Sequence, residues 1–151
     1  SIDWSKYYAD HNPLLEEKEE QKKTLALEEL TIYKLADELS DLVWDTVNTW
    51  DWFPKKNLGD QLVRAADSIA GNIAEGYGRY FFKEYILFLY YARGSLFETK
   101  VWVEKAQKRK LLKEGEYLKI KNILDKLPLE INKVVKIVKG EAKKWEYKKY
   151  Y

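Results

Sequence analysis

Four stretches of this chain repeat apolar residues at steps of three and four. A chain patterned that way buries its apolar surface by laying helices side by side. The first stripe is Ile32, Leu35, Ala36, Leu39, Leu42, Val43, Thr46, Val47 and Trp50. The second is Leu58, Leu62, Ala65, Ala66, Ile69 and Ile73, in a segment otherwise rich in small side chains. The third, Tyr85, Leu89, Ala92, Leu96, Thr99, Val103 and Ala106, keeps a strict 4-3 spacing, the signature of a bundle seam. The fourth is Tyr117, Ile120, Leu124, Leu127, Ile131, Val134 and Val138. No segment alternates with the period of two that a strand needs, and three Pro and seven Gly are too few for a turn-rich β protein. The expected fold is all-α: an antiparallel, up-down-up-down four-helix bundle.

Local signals divide the chain into an N-terminal arm (1–29), the bundle (30–140) and a basic aromatic tail (141–151). In the arm, Asn12-Pro13 reads as a helix start, with Asn as cap and Pro at the first helical position. Leu14 to Lys23 has little apolar periodicity and suggests a short charged helix docked on a neighbour. Trp52-Phe53-Pro54-Lys55-Lys56 is expected to end helix one, and Asn57 to cap helix two. Gly76-Tyr77-Gly78 reads as the stop of helix two, in the left-handed geometry that Gly accepts. The fourth stripe keeps phase across Pro128, which predicts one kinked helix stopping at Lys139-Gly140.

Charge is unevenly spread. Residues 1–30 hold eight acids against four bases, residues 31–99 ten against seven, and residues 100–151 seven against sixteen. Two basic groups stand out: Lys105, Lys108, Arg109, Lys110 and Lys113 between helices three and four, and Lys143, Lys144, Lys148 and Lys149 among the tail aromatics Trp145, Tyr147, Tyr150 and Tyr151. Lys and Arg neutralise phosphates and aromatic faces stack on unpaired bases, so both are candidate nucleic-acid contacts. The plain alternative is that Lys solvates the outer face of a helix. Aromatic residues off the seam of helix three, among them Phe81, Phe88, Tyr91 and Phe97, have no evident place in a lone bundle. The chain has no Cys, no apolar run near the roughly 20 residues that span a bilayer, and no basic-then-apolar order at its start. These features lead to the expectation of a soluble, cytoplasmic protein without membrane association.

Catalytic patterns are scarce. The single His, His11, lies in the arm, where an ordinary exposed side chain is the simpler reading than a triad member. One His cannot furnish the paired Glu-x-x-His motifs of a di-iron bundle, and no zinc set exists, so neither metal nor cofactor is expected. Gly76-Tyr77-Gly78 follows a helix rather than a strand and lacks the third Gly of a dinucleotide loop, and neither Gly59 nor Gly94 opens a phosphate loop. Asp67, Asn72 and Glu75, with Arg64, Arg79 and Arg93 as partners, suggest a buried polar network. It would fix helix register or, in the sharper reading, build a carboxylate–arginine active site around Glu75, Arg79 and Arg93.

One stretch is more specific than pattern. Ser68-Ile-Ala-Gly-Asn-Ile-Ala-Glu-Gly-Tyr-Gly-Arg79 resembles the hallmark of the small four-helix-bundle proteins encoded by 23S rRNA intervening sequences, sometimes labelled ribosomal proteins. Gln61 to Ala66, and Tyr85 to Leu89 followed by Ala92-Arg93-Gly94-Ser95-Leu96 and Glu98, are similar to the flanking parts of that family; the resemblance spans about 30–138. It implies a left-handed antiparallel bundle, assembly into a homopentamer and no enzymatic activity. A distant relative, the accessory protein of diversity-generating retroelements, works with a reverse transcriptase and nucleic acid. The family-type positions here are Arg64, Asn72, Glu75, Gly76, Gly78, Arg79, Arg93 and Gly94, expected to serve structure and assembly. The arm and the tail depart from the family pattern. The leading expectation is therefore a non-enzymatic homo-oligomer that binds RNA or another nucleic acid. A protein-interaction scaffold or accessory subunit without a nucleic-acid role is the alternative.

Overall fold

The computed structural model describes the backbone of residues 13–150 and the side-chain surroundings of residues 31–144. His11, the Asn12 cap and the side chains of Lys148 and Lys149 lie outside the described residues. Four long helices make the fold: α1 (Pro13–Asn48), α2 (Asp60–Tyr77), α3 (Phe82–Lys108) and α4 (Glu114–Tyr150). Each packs on its neighbours in sequence, and α4 closes the ring against α1. No strand occurs among the described residues.

Every residue of the four predicted stripes is buried or packs against the core. In α3 the buried set is the whole 4-3 seam plus Phe82. Thr99, fully buried within that seam, donates its hydroxyl to the Ser95 carbonyl 2.7 Å away, which satisfies that group inside its own helix. The stripe of α4 gains two positions that the spacing missed, Ile123 and Val135.

Several local signals were overridden. The charged segment after Pro13 is not a separate helix but the first turns of α1, which runs unbroken to Asn48. α1 stops four residues before Trp52, and Trp50 folds back to bury its ring beneath the end of the bundle. Pro54 ends nothing: it sits in a short helical turn, Trp52–Pro54, where its missing N–H costs no hydrogen bond. A wide π-type turn, Lys55–Gly59, carries that turn into α2. Asn57 is therefore not a cap; its amide donates to the Phe53 carbonyl at 2.9 Å. α4 passes through Pro128 as one helix, as its phase requires, but also through Gly140 to Tyr150. A single helical Gly costs only about 1 kcal/mol, and Ala142, just beyond it, packs on the core.

The glycines of the hallmark work differently from the expected stop. Gly78 caps α2 with φ −76°, in the right-handed region, so no left-handed residue is needed there. Gly76 is buried inside α2 where α3 crosses close: a Cβ on it would stand 2.7 Å from the Phe88 Cβ and 3.3 Å from the Tyr85 carbonyl oxygen. Gly59 plays the same part against α1, its Cβ position lying 2.6 Å from Val47 Cγ1.

Candidate nucleic-acid interface

The antiparallel order places the α1–α2 and α3–α4 connections at one end of the bundle. They meet there: Thr49, Trp50, Asp51 and Pro54 share a shallow cleft with Lys110, Leu111, Lys113 and Glu116. The run that the sequence singles out, Lys105, Lys108, Arg109, Lys110 and Lys113, is exposed at this end, and none of the five forms an ion pair among the described residues. Asp51, Glu104 and Glu114 are exposed acids nearby; Glu104 accepts the Tyr117 hydroxyl, and Glu116 accepts the Lys113 backbone N–H at 2.9 Å, half of a capping box that starts α4.

The tip itself is a Schellman turn. Leu111 N–H reaches back to the Ala106 carbonyl and Lys110 N–H to that of Gln107. The turn requires a left-handed residue, and Lys110 supplies it with φ 58°, the only non-glycine at positive φ among the described residues. Such a residue costs about 1–3 kcal/mol where Gly would cost almost nothing. A cation is held at the apex in spite of that strain.

Sequence reasoning missed the other half of this end. Trp52 and Phe53 are 70% and 69% exposed, more than any other large apolar side chain described. Lys56 Nζ lies 4.8 Å from the centroid of the Trp52 ring. Around the corner, exposed Trp44 lines a groove of about 510 Å³ together with Lys55, Lys56 and Gly59. Adjacent aromatics and lysines are the available signal, in a segment that reads locally as a helix stop. Only the topology brings their connection to the end that carries the Lys105–Lys113 run. Of the second predicted basic group, Lys143 and Lys144 are exposed on α4, the latter paired to Glu141 at 3.1 Å.

The expected buried polar network does not form. Asp67 and Glu75 are exposed and Asn72 is half-buried. Arg64 pairs with Asp60 at 3.1 Å, Asp67 accepts from the Ser40 hydroxyl, and the Asn72 amide donates to the Ser68 carbonyl at 2.8 Å. Glu75 does pair with Arg79, at 3.0 Å, with the guanidinium 4.9 Å from the Phe88 ring. Arg93 joins a different group, donating to Asn132 Oδ1 on α4. The pair and Arg93 thus do not form the shared active site that the sharper reading required. Gly94 is exposed with open space where a Cβ would stand. No group of three His, Asp or Glu is gathered for a metal, and no helix is long and apolar enough to cross a membrane, among the described residues.

One titrating contact marks the α3–α4 junction. The Tyr117 hydroxyl donates to Glu104 Oε1 at 2.7 Å, and this bond, with burial and the charges of Glu104 and Asp125, raises the phenol above its usual value near 10.0. The folded-state value exceeds the unfolded one, so the contact's stabilisation is complete below the unfolded value and disappears as pH rises through the folded one. An ultraviolet tyrosinate titration is expected to lose a late-titrating component in Tyr117→Phe, and that component should move to lower pH in Glu104→Gln.

Fold and surface together define a class: a helical-bundle protein whose hallmark residues Asn72, Glu75 and Arg79 make their hydrogen bonds within α2 and at its end, and whose distinctive surface is a cationic, aromatic end. The chain belongs to the 23S rRNA-intervening sequence protein family, whose model matches residues 28–133. The match takes in the whole of α2 and α3 and about half each of α1 and α4. No curated protein matches the chain.

Proposed function

We propose that this protein is a non-enzymatic, self-assembling bundle that binds single-stranded RNA, or another unpaired nucleic acid, through its cationic end. One observation supports the reading: the connection that carries exposed Trp52 and Phe53 lies at the same end of the bundle as the Lys105–Lys113 run, with Asp51 and Pro54 sharing a cleft with Lys110 and Lys113. Cations that neutralise phosphates and open aromatic faces that stack on bases are the two elements of sequence-tolerant single-strand binding. Binding to a fluorescent oligouridylate should be saturable and fall linearly on a log–log plot against salt. A duplex of the same length should bind more weakly, because its bases are already stacked. Equal affinity for duplex and single strand, or no salt dependence, contradicts the reading.

Self-assembly is supported by a second stripe on α3. Leu87, Tyr91, Gly94 and Val101 lie along one line of the outer face, with Glu98 at the position between Gly94 and Val101, and the three apolar side chains are 44–51% exposed. Side-chain-free Gly94 allows a second helix to approach there. Five copies, as the family resemblance implies, would multiply the cationic ends and their avidity. Sedimentation of the intact chain should give an oligomer, and Tyr91→Glu with Val101→Glu a smaller species of unchanged helicity. The same stripe favours the second reading, a scaffold for other proteins, if the intact chain sediments as a monomer.

A further inference from the structure

Away from the cationic end, α3 and α4 leave a groove of about 510 Å³ between them. Arg93, on its wall, precedes Lys108 by fifteen residues, roughly 22 Å at ~1.5 Å per helical residue. The groove is lined by Tyr90 and Arg93 from α3 and by Asn132, Lys136, Lys139 and Lys143 from α4. Four cations converge there and no carboxylate lines it. None of the four has an ion-pair partner among the described residues, although the other lysines flanking this stretch, Lys133 and Lys144, are both paired to glutamates.

The groove is organised rather than merely basic. The Arg93 guanidinium lies 4.8 Å from the centroid of the Tyr90 ring, and Lys139 Nζ lies 5.5 Å from the same ring. One aromatic ring thus holds two cations close to it, which is favourable to each cation singly, while the two like charges repel each other. Arg93 Nη1 also donates to Asn132 Oδ1 at 3.1 Å. Because a guanidinium only donates, the amide oxygen must face it, and the Asn132 NH₂ is left as a further donor. Gly140 leaves the upper floor of the groove without a side chain. Fixed donors, uncompensated positive charge and a volume within the range of small-ligand sites call for a compact oxyanion. A guanidinium offers a planar fork to such a group, and lysines add point charges.

We propose that this groove is a phosphate-binding site. It takes either a backbone phosphate of a bound strand, in which case it deepens the nucleic-acid reading, or the phosphates of a free di- or polyphosphate ester, in which case it is independent of that reading. Lys136 and Lys139 supply the charge and Arg93 with Asn132 the directed donors. The probe is inorganic pyrophosphate, titrated calorimetrically into the intact protein at low ionic strength. Saturable binding is expected, weakened about tenfold or more in Lys136→Gln with Lys139→Gln, since two charge-assisted contacts to the anion are lost. Both lysines are exposed, so circular dichroism should be unchanged. Arg93, which ties α3 to α4, stays intact. A charge-reversed cationic end, Lys108→Glu with Arg109→Glu and Lys110→Glu, should bind pyrophosphate as the wild type does. No saturable heat from the wild type, or the same affinity in the groove variant, overturns the proposal. An oligouridylate arm separates the two sources. Loss of RNA affinity in the groove variant assigns the site to the strand's backbone, and retained RNA affinity with lost pyrophosphate assigns it to a free ester. Pyrophosphate bound in the groove by a protein that binds no RNA sustains the site and removes the nucleic-acid reading.

Discussion

Replacing Lys108, Arg109 and Lys110 together by Glu is expected to weaken single-stranded RNA binding on the order of 100-fold at moderate salt and to flatten its salt dependence, because each neutralised phosphate releases ~0.7 counterion from a single strand. The three positions are exposed and make no ion pair among the described residues, so the bundle should melt as before. The left-handed backbone at Lys110 supplies a sharper companion variant. Lys110→Gly removes one cation and relieves the strain, so it should stabilise the fold by about 1 kcal/mol while binding RNA less well. A purely structural tip predicts the gain in stability with no loss of affinity. A purely electrostatic but unstrained one predicts the reverse. Unchanged RNA affinity in the triple variant excludes this end as the interface.

The same end shows what a single sequence holds and what it withholds. Burial in a bundle depends on direction around each helix, and direction is encoded by residue spacing, so the four stripes were readable. Helix limits were less so. Gly140 and Pro54 are strong local signals, yet a Gly costs a helix about 1 kcal/mol and a Pro in a first turn almost nothing, so packing beyond them prevails. The misplaced polar network has a directional cause as well. Ile69, Ile73 and Gly76 set the inward face of α2, and at about 100° per residue Asp67 and Glu75 turn well away from it, whatever small residues adjoin them in sequence. The lysines of the α3–α4 connection are contiguous and therefore visible. Trp52, Phe53, Lys55 and Lys56 lie some fifty residues earlier, and their connection reaches the same end only through the antiparallel order of the helices. The Arg93 groove is harder still, because its α4 lysines, spaced at three and four, look like ordinary helix solvation until α3 is laid beside them.

Gly76→Ala is expected to destabilise the chain by about 2 kcal/mol, a drop of roughly 4–8 °C in Tm for a domain of this size. Two opposing effects set the sign. Ala is the better helix former by ~1 kcal/mol, and in open space that gain would be realised. At Gly76 the new methyl meets the Phe88 Cβ at 2.7 Å and the Tyr85 carbonyl oxygen at 3.3 Å. Neither is the free end of a flexible side chain, so α2 and α3 must part. Parting them loosens Tyr85 and the seam below it, and overpacking of that kind costs ~1–3 kcal/mol before any relaxation of neighbouring rings. Gly71→Ala is the matched control. It sits in the same helix, exposed, with nothing within 4 Å of the added carbon, and should stabilise by up to about 1 kcal/mol. If the hallmark glycine served only to stop the helix, Gly76→Ala would behave like Gly71→Ala, and equal thermal shifts for the two variants would refute the close approach of α2 and α3. Opposite signs, with wild-type helicity in both, identify Gly76 as the position where the two helices touch backbone to side chain, and explain in packing alone why that point of the motif bears no side chain.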